Sequence, residues 1–248
     1  MKNPFSLENK VILVTGASSG IGQSIAIESS KMGANIILLG RNRERLEETM
    51  GQLEGNGHTY YQCDLINEGE LQEVVEKCTI VDGIVHSAGV GLTLPFKFTT
   101  SSVLDRIMDV NFKAPILLTQ KMLKKKKLKK NSSIIYMGSV DGPVTGHVGN
   151  SIYSASKGAL VAMAKSQAVE LANQGIRVNC ILPGRVETPL IKRDNISEEQ
   201  VENNKLLYPL KRYARPEEIS FYAIYLLSEA STFTTGSSLV IDGGFTLL

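Results

Sequence analysis

Seven short strand-like segments, near 10–15, 35–39, 58–63, 80–86, 132–138, 177–182 and 238–241, constrain the fold more than any other feature of this chain. Helical patterns near 20–33, 43–54, 67–78, 101–125, 152–173 and 216–229 separate them. Such alternation predicts an α/β architecture, a doubly wound, seven-stranded parallel sheet flanked by helices. Right-handed crossovers then gather functional groups at the carboxyl ends of the strands, where strand order reverses between the first strand and its two neighbours. With 248 residues, 42% of them hydrophobic, and no visible linker, residues 1–248 are expected to form a single domain.

The first strand, Lys10 to Val14, runs into Thr15-Gly16-Ala17-Ser18-Ser19-Gly20-Ile21-Gly22. Ile21, Ile25 and Met32 then recur at helical spacing, so Gly20 and Gly22 fall where a helix amino terminus opens toward the strand's carboxyl end. Free N–H groups and the positive dipole end there favour an anion such as a pyrophosphate. The missing side chains of Gly16, Gly20 and Gly22 allow close approach. The same spacing also suits a plain tight turn between strand and helix.

Tyr153 and Lys157 lie four residues apart in Tyr-Ser-Ala-Ser-Lys and share one helix face. An ammonium within ~4–6 Å can lower a tyrosine pKa from about 10 by ~1–3 units, which suits a general acid. An isolated pair of this kind is also compatible with a ring packed on a lysine stem.

Together these segments resemble the short-chain dehydrogenase/reductase family, whose glycine motif is Thr-Gly-x3-Gly-x-Gly and whose active site carries Tyr-x3-Lys. The resemblance covers nearly all of the chain and is strongest toward 3-oxoacyl-[acyl-carrier-protein] reductases. It implies a Rossmann fold and a catalytic tetrad of Asn111, Ser139, Tyr153 and Lys157. It also implies cofactor contacts from Gly16, Ser18, Ser19, Gly20, Ile21 and Gly22, and from Ser87, Ala88 and Gly89. Asp64-Leu65 corresponds to the adenine-binding pair, and Pro183, Gly184, Val186 and Thr188 to the nicotinamide side. Asn111, Tyr153 and Lys157 are expected to touch the cofactor as well. The implied chemistry is hydride delivery to a ketone carbon, with Tyr153 protonating the developing alkoxide, Ser139 polarising the carbonyl and Lys157 tuning the phenol.

A carboxylate at the end of the second strand would bind the free ribose hydroxyls of NAD; Gly40-Arg41-Asn42-Arg43 stands there instead. Arg41 therefore points to NADP(H), with NAD(H) as the alternative, because a guanidinium fork suits a phosphate, and Asn42 beside it is expected to touch the cofactor. Arg41 and Arg43 are equally compatible with the start of a solvated helix rich in Arg and Glu. Ser19 occupies a position where many NADP-preferring relatives carry a basic residue. His86-Ser87 departs from the family's Asn-Asn, with an expected loss of rigidity. His86 is read as a buried or hydrogen-bonded strand residue.

Pro115, four residues after Asn111, lacks the N–H that would bond the Asn111 carbonyl. A kink and a free carbonyl able to hold a water are expected there. Ser102 with Asp105 reads as a capping box for the same helix. The stretch between Ser139 and Tyr153 is rich in Gly and Val and one residue longer than in close bacterial relatives, so substrate shape is expected to differ.

Residues 188–215, interrupted by Pro189 and Pro209, read as a mobile lid, with Ile191, Leu206, Leu207, Tyr208 and Leu210 as apolar contacts. Seven lysines fall between Lys121 and Lys130; without them the other 20 basic and 25 acidic residues sum to −5. That run reads as a solvated helix end or as a docking face for an acidic partner such as acyl carrier protein. No aromatic interleaving supports nucleic acid. No apolar stretch reads as a membrane span or secretory signal, so a cytoplasmic location is expected. Cys63, Cys78 and Cys180 read as reduced fillers, and no metal site is expected. Ala155, Gly158, Ala159, Ala162 and Ala168 form a small-residue stripe, and the family resemblance implies a homotetramer or homodimer through it and through the Asp242-Gly243-Gly244-Phe245 tail. Alternatives to the ketone reductase are a sugar or steroid alcohol dehydrogenase and a non-enzymatic dinucleotide sensor.

Overall fold

The computed structural model describes residues 3–189 and 197–248. All seven expected strands form: β1 (Val11–Thr15), β2 (Asn35–Gly40), β3 (Thr59–Gln62), β4 (Val81–His86), β5 (Leu128–Met137), β6 (Arg177–Pro183) and β7 (Ser238–Ile241). They build one parallel sheet in the order β3-β2-β1-β4-β5-β6-β7. Thr15 lies in register with both Leu39 of β2 and His86 of β4, which marks the reversal point.

Alternating strand residues feed opposite layers. On one face Ile12, Val14, Ile36 and Leu38 pack against Ile25 of α1 (Gly20–Lys31) and Ile219 of α8 (Pro216–Leu227). On the other, Leu13, Ile37, Leu39 and Ile84 pack against Leu118 and Met122 of α5 (Ala114–Lys124). A third cluster joins Ile134, Tyr136 and Cys180 to Leu160 and Ala164 of α6 (Ser151–Leu171). Each fully buried Leu or Ile contributes about 1.5–3 kcal/mol, so both sides of the sheet are firmly clad. Two further helices, α2 (Arg43–Met50) and α3 (Glu68–Lys77), flank β3. The three cysteines are buried and free.

Three expectations are corrected. The helix expected over 101–125 is divided into α4 (Ser101–Met108), a π turn (Asp109–Lys113) and α5, with Ala114 N–H reaching back to Asp109 O. Pro115 thus stands in the first turn of α5, where a missing donor costs little. Thr100, not Ser102, caps α4, its hydroxyl accepting from Val103 N at 3.4 Å.

The lysine run is not a helix end alone, since β5 begins at Leu128 and takes in Lys129 and Lys130. A register shift between Val81 and Gly83 accommodates the added residues. Lys127 donates to Cys78 O (2.6 Å) beyond α3, Lys125 meets Glu76 (3.8 Å), and Lys129 grips Asp82 (2.9 Å). The run ends in the first residues of β5, whereas the glycine turn and Ser139 follow the ends of β1 and β5, so strand residues 131–137 lie between it and the crevice. It does not border its own chain's crevice.

The described part of the 188–215 segment contains an ordered helix, α7 (Glu198–Leu206), closed by a Ser197/Gln200 capping box. Leu206, Leu207 and Leu210 are exposed while Tyr208 is buried; Ile191 lies outside the described residues.

Candidate active site

At the end of β1 the chain turns through Gly16 (φ +66°) and Gly20 (φ +59°), conformations that L side chains rarely adopt. A Cβ on Gly22 would come within 2.5 Å of Gly16 O, and one on Gly16 within 2.8 Å of Ala88 Cα. The turn, α1 and the loop after β4 are therefore in backbone contact. Ser19 is the N-cap of α1 and makes no side-chain capping bond, so the first-turn N–H groups are left for an anion. Thr188 lies over the turn, 3.3 Å from where a Gly20 Cβ would stand. Ser18 approaches Gly40 at the end of β2. This cradle fits the diphosphate of a dinucleotide.

Sequence reading missed the role of Thr15. Its hydroxyl accepts from the N–H groups of both Ser87 and Ala88, each at 3.1 Å. That brace between β1 and the loop after β4 offsets the loss of rigidity expected from Ser87. His86 is 3% exposed, with Nε2 2.8 Å from the Thr119 hydroxyl and its ring stacked on Tyr136 at 4.8 Å. Burial lowers its pKa to about 3, so the ring is neutral.

At the end of β2, Arg41 is largely exposed and its Nη1 lies 3.9 Å from an Asp64 carboxylate oxygen. Asn42 caps α2, accepting from Arg45 N at 2.9 Å, so its side-chain oxygen serves the helix. Asp64 also accepts from Ile66 N (3.3 Å), and Leu65 is buried. Arg41, Gln62, Asp64 and Glu70 line one depression beside the β2 end.

The expected tetrad converges across the crevice. Asn111, 1% exposed in the π turn, accepts from Val90 N (2.8 Å) and donates to Val90 O (2.9 Å) and Ser156 Oγ (3.0 Å). Its amide pins the loop after β4 to α6, and Ser156 is a second residue the sequence did not reveal. Ser139 hydrogen-bonds Tyr153. Lys157 Nζ donates to Met137 O at 2.7 Å and lies 5.6 Å from the Tyr153 ring centre. A Cβ on Gly89 would stand 3.4 Å from Asn111 Oδ1 and 3.5 Å from Lys157 Nζ.

The electrostatics overturn one expectation. Burial, opposed by the Ser139 hydrogen bond and reinforced by the Asp141 charge, raises the Tyr153 pKa to about 12. Lys157 is itself desolvated and lowered to about 8. Loss of water around both groups outweighs the attraction anticipated from their spacing.

A polar cluster adjoins Ser139 unannounced. Asp141 is 6% exposed; its N–H donates to Ser139 Oγ (3.1 Å), and its carboxylate accepts from Asn150 Nδ2 (2.8 Å) and meets His147 Nδ1. On the far side, Pro183 ends β6, Gly184 N–H bonds Ile241 O (2.9 Å), and Val186 bridges to Ala214.

A dinucleotide cradle at the reversal point, faced by a serine, a tyrosine and a lysine, defines a Rossmann-type oxidoreductase. The sequence family described as enoyl-(acyl carrier protein) reductase matches residues 16–246. The 3-oxoacyl-[acyl-carrier-protein] reductase FabG of Rickettsia prowazekii is 33% identical over 243 residues, 98% of this chain and 99% of that protein. Oxidoreductase UcpA of Salmonella typhimurium is 36% identical over 254 aligned positions, 97% of this chain and 96% of that protein. A putative gluconate dehydrogenase from Agrobacterium tumefaciens superposes with TM-score 0.91 at 25% identity, covering 100% of both chains. A Brucella melitensis short-chain dehydrogenase/reductase titled glucose/ribitol dehydrogenase gives 0.90 at 30% identity, covering 99% of each. The chain belongs to the short-chain dehydrogenase/reductase family and is an oxidoreductase. Among the described residues no helix is long and apolar enough to cross a membrane.

Proposed function

We propose that the protein is a cytoplasmic NADP(H)-dependent reductase of ketones carried on 3-oxoacyl thioesters. The observation that carries this reading is the convergence of Ser139, Tyr153 and Lys157 beside the pinned loop of Asn111. Gly16, Ser18, Ser19, Gly20, Ile21 and Gly22 hold the diphosphate, Asp64 and Leu65 flank the adenine, and Ser87, Ala88 and Gly89 line the floor. Arg41, largely exposed and only loosely matched by Asp64, takes the ribose phosphate. Pro183, Gly184, Val186 and Thr188 hold the carboxamide side. The nicotinamide, when bound, supplies the hydride.

Ser139 polarises the ketone oxygen by donating a hydrogen bond to it. The Tyr153 hydroxyl transfers its proton to that oxygen as the carbon is reduced. A phenol held near 12 stays protonated at neutral pH, the form that can donate to a carbonyl oxygen. Lys157 orients the ribose and returns a proton to Tyr153 through a water on the main-chain oxygen of Asn111 in the π turn. The described residues 197–215, α7 among them, cover the substrate.

The relatives named as 3-oxoacyl reductases support the thioester. Those titled gluconate and glucose/ribitol dehydrogenase support a second reading, oxidation of a sugar alcohol. Initial rates with NADPH and NADH on 3-oxoacyl thioesters, sugars and steroids separate the two. The first reading expects NADPH preferred at least 10-fold with a thioester ketone, and that preference lost in Arg41→Ala. Sugar oxidation with NAD in the wild type overturns it.

A further inference from the structure

The loop between Ser139 and Tyr153 carries one buried carboxylate that the proposed chemistry does not use. We propose that Asp141 is a specificity-determining residue, a fixed negative charge that admits neutral carbonyl compounds and rejects those bearing a free carboxylate beside the reacting ketone. The inference rests on the carbonyl-reductase reading and specifies the substrate class of that site.

Four observations converge on it. Asp141 follows Ser139 by two residues and its N–H holds the Ser139 oxygen at 3.1 Å, so the carboxylate belongs to the same turn as the carbonyl-polarising hydroxyl. It cannot swing away, being 6% exposed and held on one oxygen by Asn150 and on the other by His147. His147 is in turn stacked on Phe245 at 5.5 Å. Its charge reaches the reacting centre, because it raises the phenol of Tyr153 and that of Tyr208. Arg185 acts on Tyr208 in the opposite sense. Finally, the loop is clasped to the opposite wall through Leu94 N–H to Gly149 O (2.8 Å) and Thr93 to Asn150 (3.4 Å), with Gly91 beside the Tyr153 ring. Substituents flanking the ketone must pass between these walls.

Two like charges some 6–8 Å apart in a partly desolvated site repel by roughly 10- to 100-fold in binding. Such exclusion separates a thioester or ester from the corresponding free 3-oxo acid more sharply than added apolar contacts do.

The test compares ethyl acetoacetate with acetoacetate, one ketone in neutral and anionic form, using NADPH at a single fixed pH. In the wild type, kcat/KM for the ester is expected to exceed that for the anion by at least 30-fold. In Asp141→Asn the ratio falls at least 10-fold, chiefly through a lower KM for the anion, while His147→Gln, which keeps the carboxylate, retains the wild-type ratio. A melting curve and NADPH binding establish that each variant is folded; should Asp141→Asn not fold, Asp141→Ser takes its place. Equal use of ester and anion by the wild type, or an unchanged ratio in a folded Asp141 variant, overturns the proposal. If the wild type reduces neither compound, the reductase reading falls and this inference with it.

Discussion

Tyr153 and Lys157 meet as their spacing predicts, yet burial sets their charge. The phenol is pushed up to about 12 and the ammonium down to about 8. Tyr153→Phe removes the transferable proton and little volume, so turnover is expected to fall at least 100-fold with NADPH affinity, read by fluorescence titration, within threefold; wild-type-like turnover refutes the assignment. His86 makes a stability prediction of definite sign. Its folded pKa near 3 is below the ordinary imidazole value, so between those limits the unfolded chain binds the extra proton. The stabilisation is complete above about pH 6.5 and is lost as pH falls toward 3, on the order of 2 kcal/mol by pH 5. Urea midpoints from pH 7 to 5 should fall for wild type and fall less for His86→Asn; parallel curves would contradict it. Tyr153, Lys157, Ser139 and Asn111 are legible in the sequence because each stands in a motif of fixed spacing. Thr15 and Ser156 are not, because their importance lies in hydrogen bonds to residues 72 and 45 positions away, and Asp141 is not, because its carboxylate is fixed by His147 and Asn150 across a loop with no periodic pattern.

Elements were readable wherever hydrophobic period and boundary agree. β1 and β2 are apolar almost throughout, β4 and β6 keep an apolar majority around Asp82 and Asn179, and each of the four appears within a residue or so of its expected place. The π turn at Asp109–Lys113 was not, because an inserted residue leaves helical periodicity nearly intact on both sides. The start of β5 was hidden for the opposite reason: Lys129, Lys130 and Asn131 are exposed, so nothing apolar announces a strand. The Ser197/Gln200 capping box was visible in principle and marks α7. The glycine turn supplies the prediction at this scale. A methyl on Gly22 meets Gly16 O at 2.5 Å, a backbone atom that cannot rotate aside, so Gly22→Ala must lever α1 off the turn. Overpacking of this kind costs about 1–3 kcal/mol. Calorimetry should show a lower Tm together with at least a 10-fold weaker dinucleotide Kd, whereas a change in Tm alone would mean that the turn does not hold the diphosphate.

At the scale of the whole molecule, the sheet separates chemistry from charge. The crevice opens where β1, β4 and β5 end, and the lysines gather where β5 begins. One face of α6 stands uncovered among the described residues. Ala168 is buried in its own chain, but Ala155, Ala162 and Val169, seven residues apart, are exposed, and a Cβ on Gly158 would meet nothing within 4 Å. Positions seven apart complete nearly two helical turns, so the three form one stripe along a helix of 21 residues. Small side chains there permit close approach of a second helix, and Val169, 80% exposed, continues the stripe with an apolar surface. Because α6 also carries Tyr153 and Lys157, pairing along this stripe would stiffen the catalytic helix. Light scattering is therefore expected to give twice or four times the 27.0 kDa chain mass. Ala162→Arg, which places a charge in mid-stripe, should shift that mass toward 27.0 kDa and lower activity in proportion to the dissociated fraction, with full recovery at high protein concentration. A wild-type mass of one chain, or an Ala162→Arg oligomer indistinguishable from wild type, removes α6 as the contact and leaves its exposed valine without a partner.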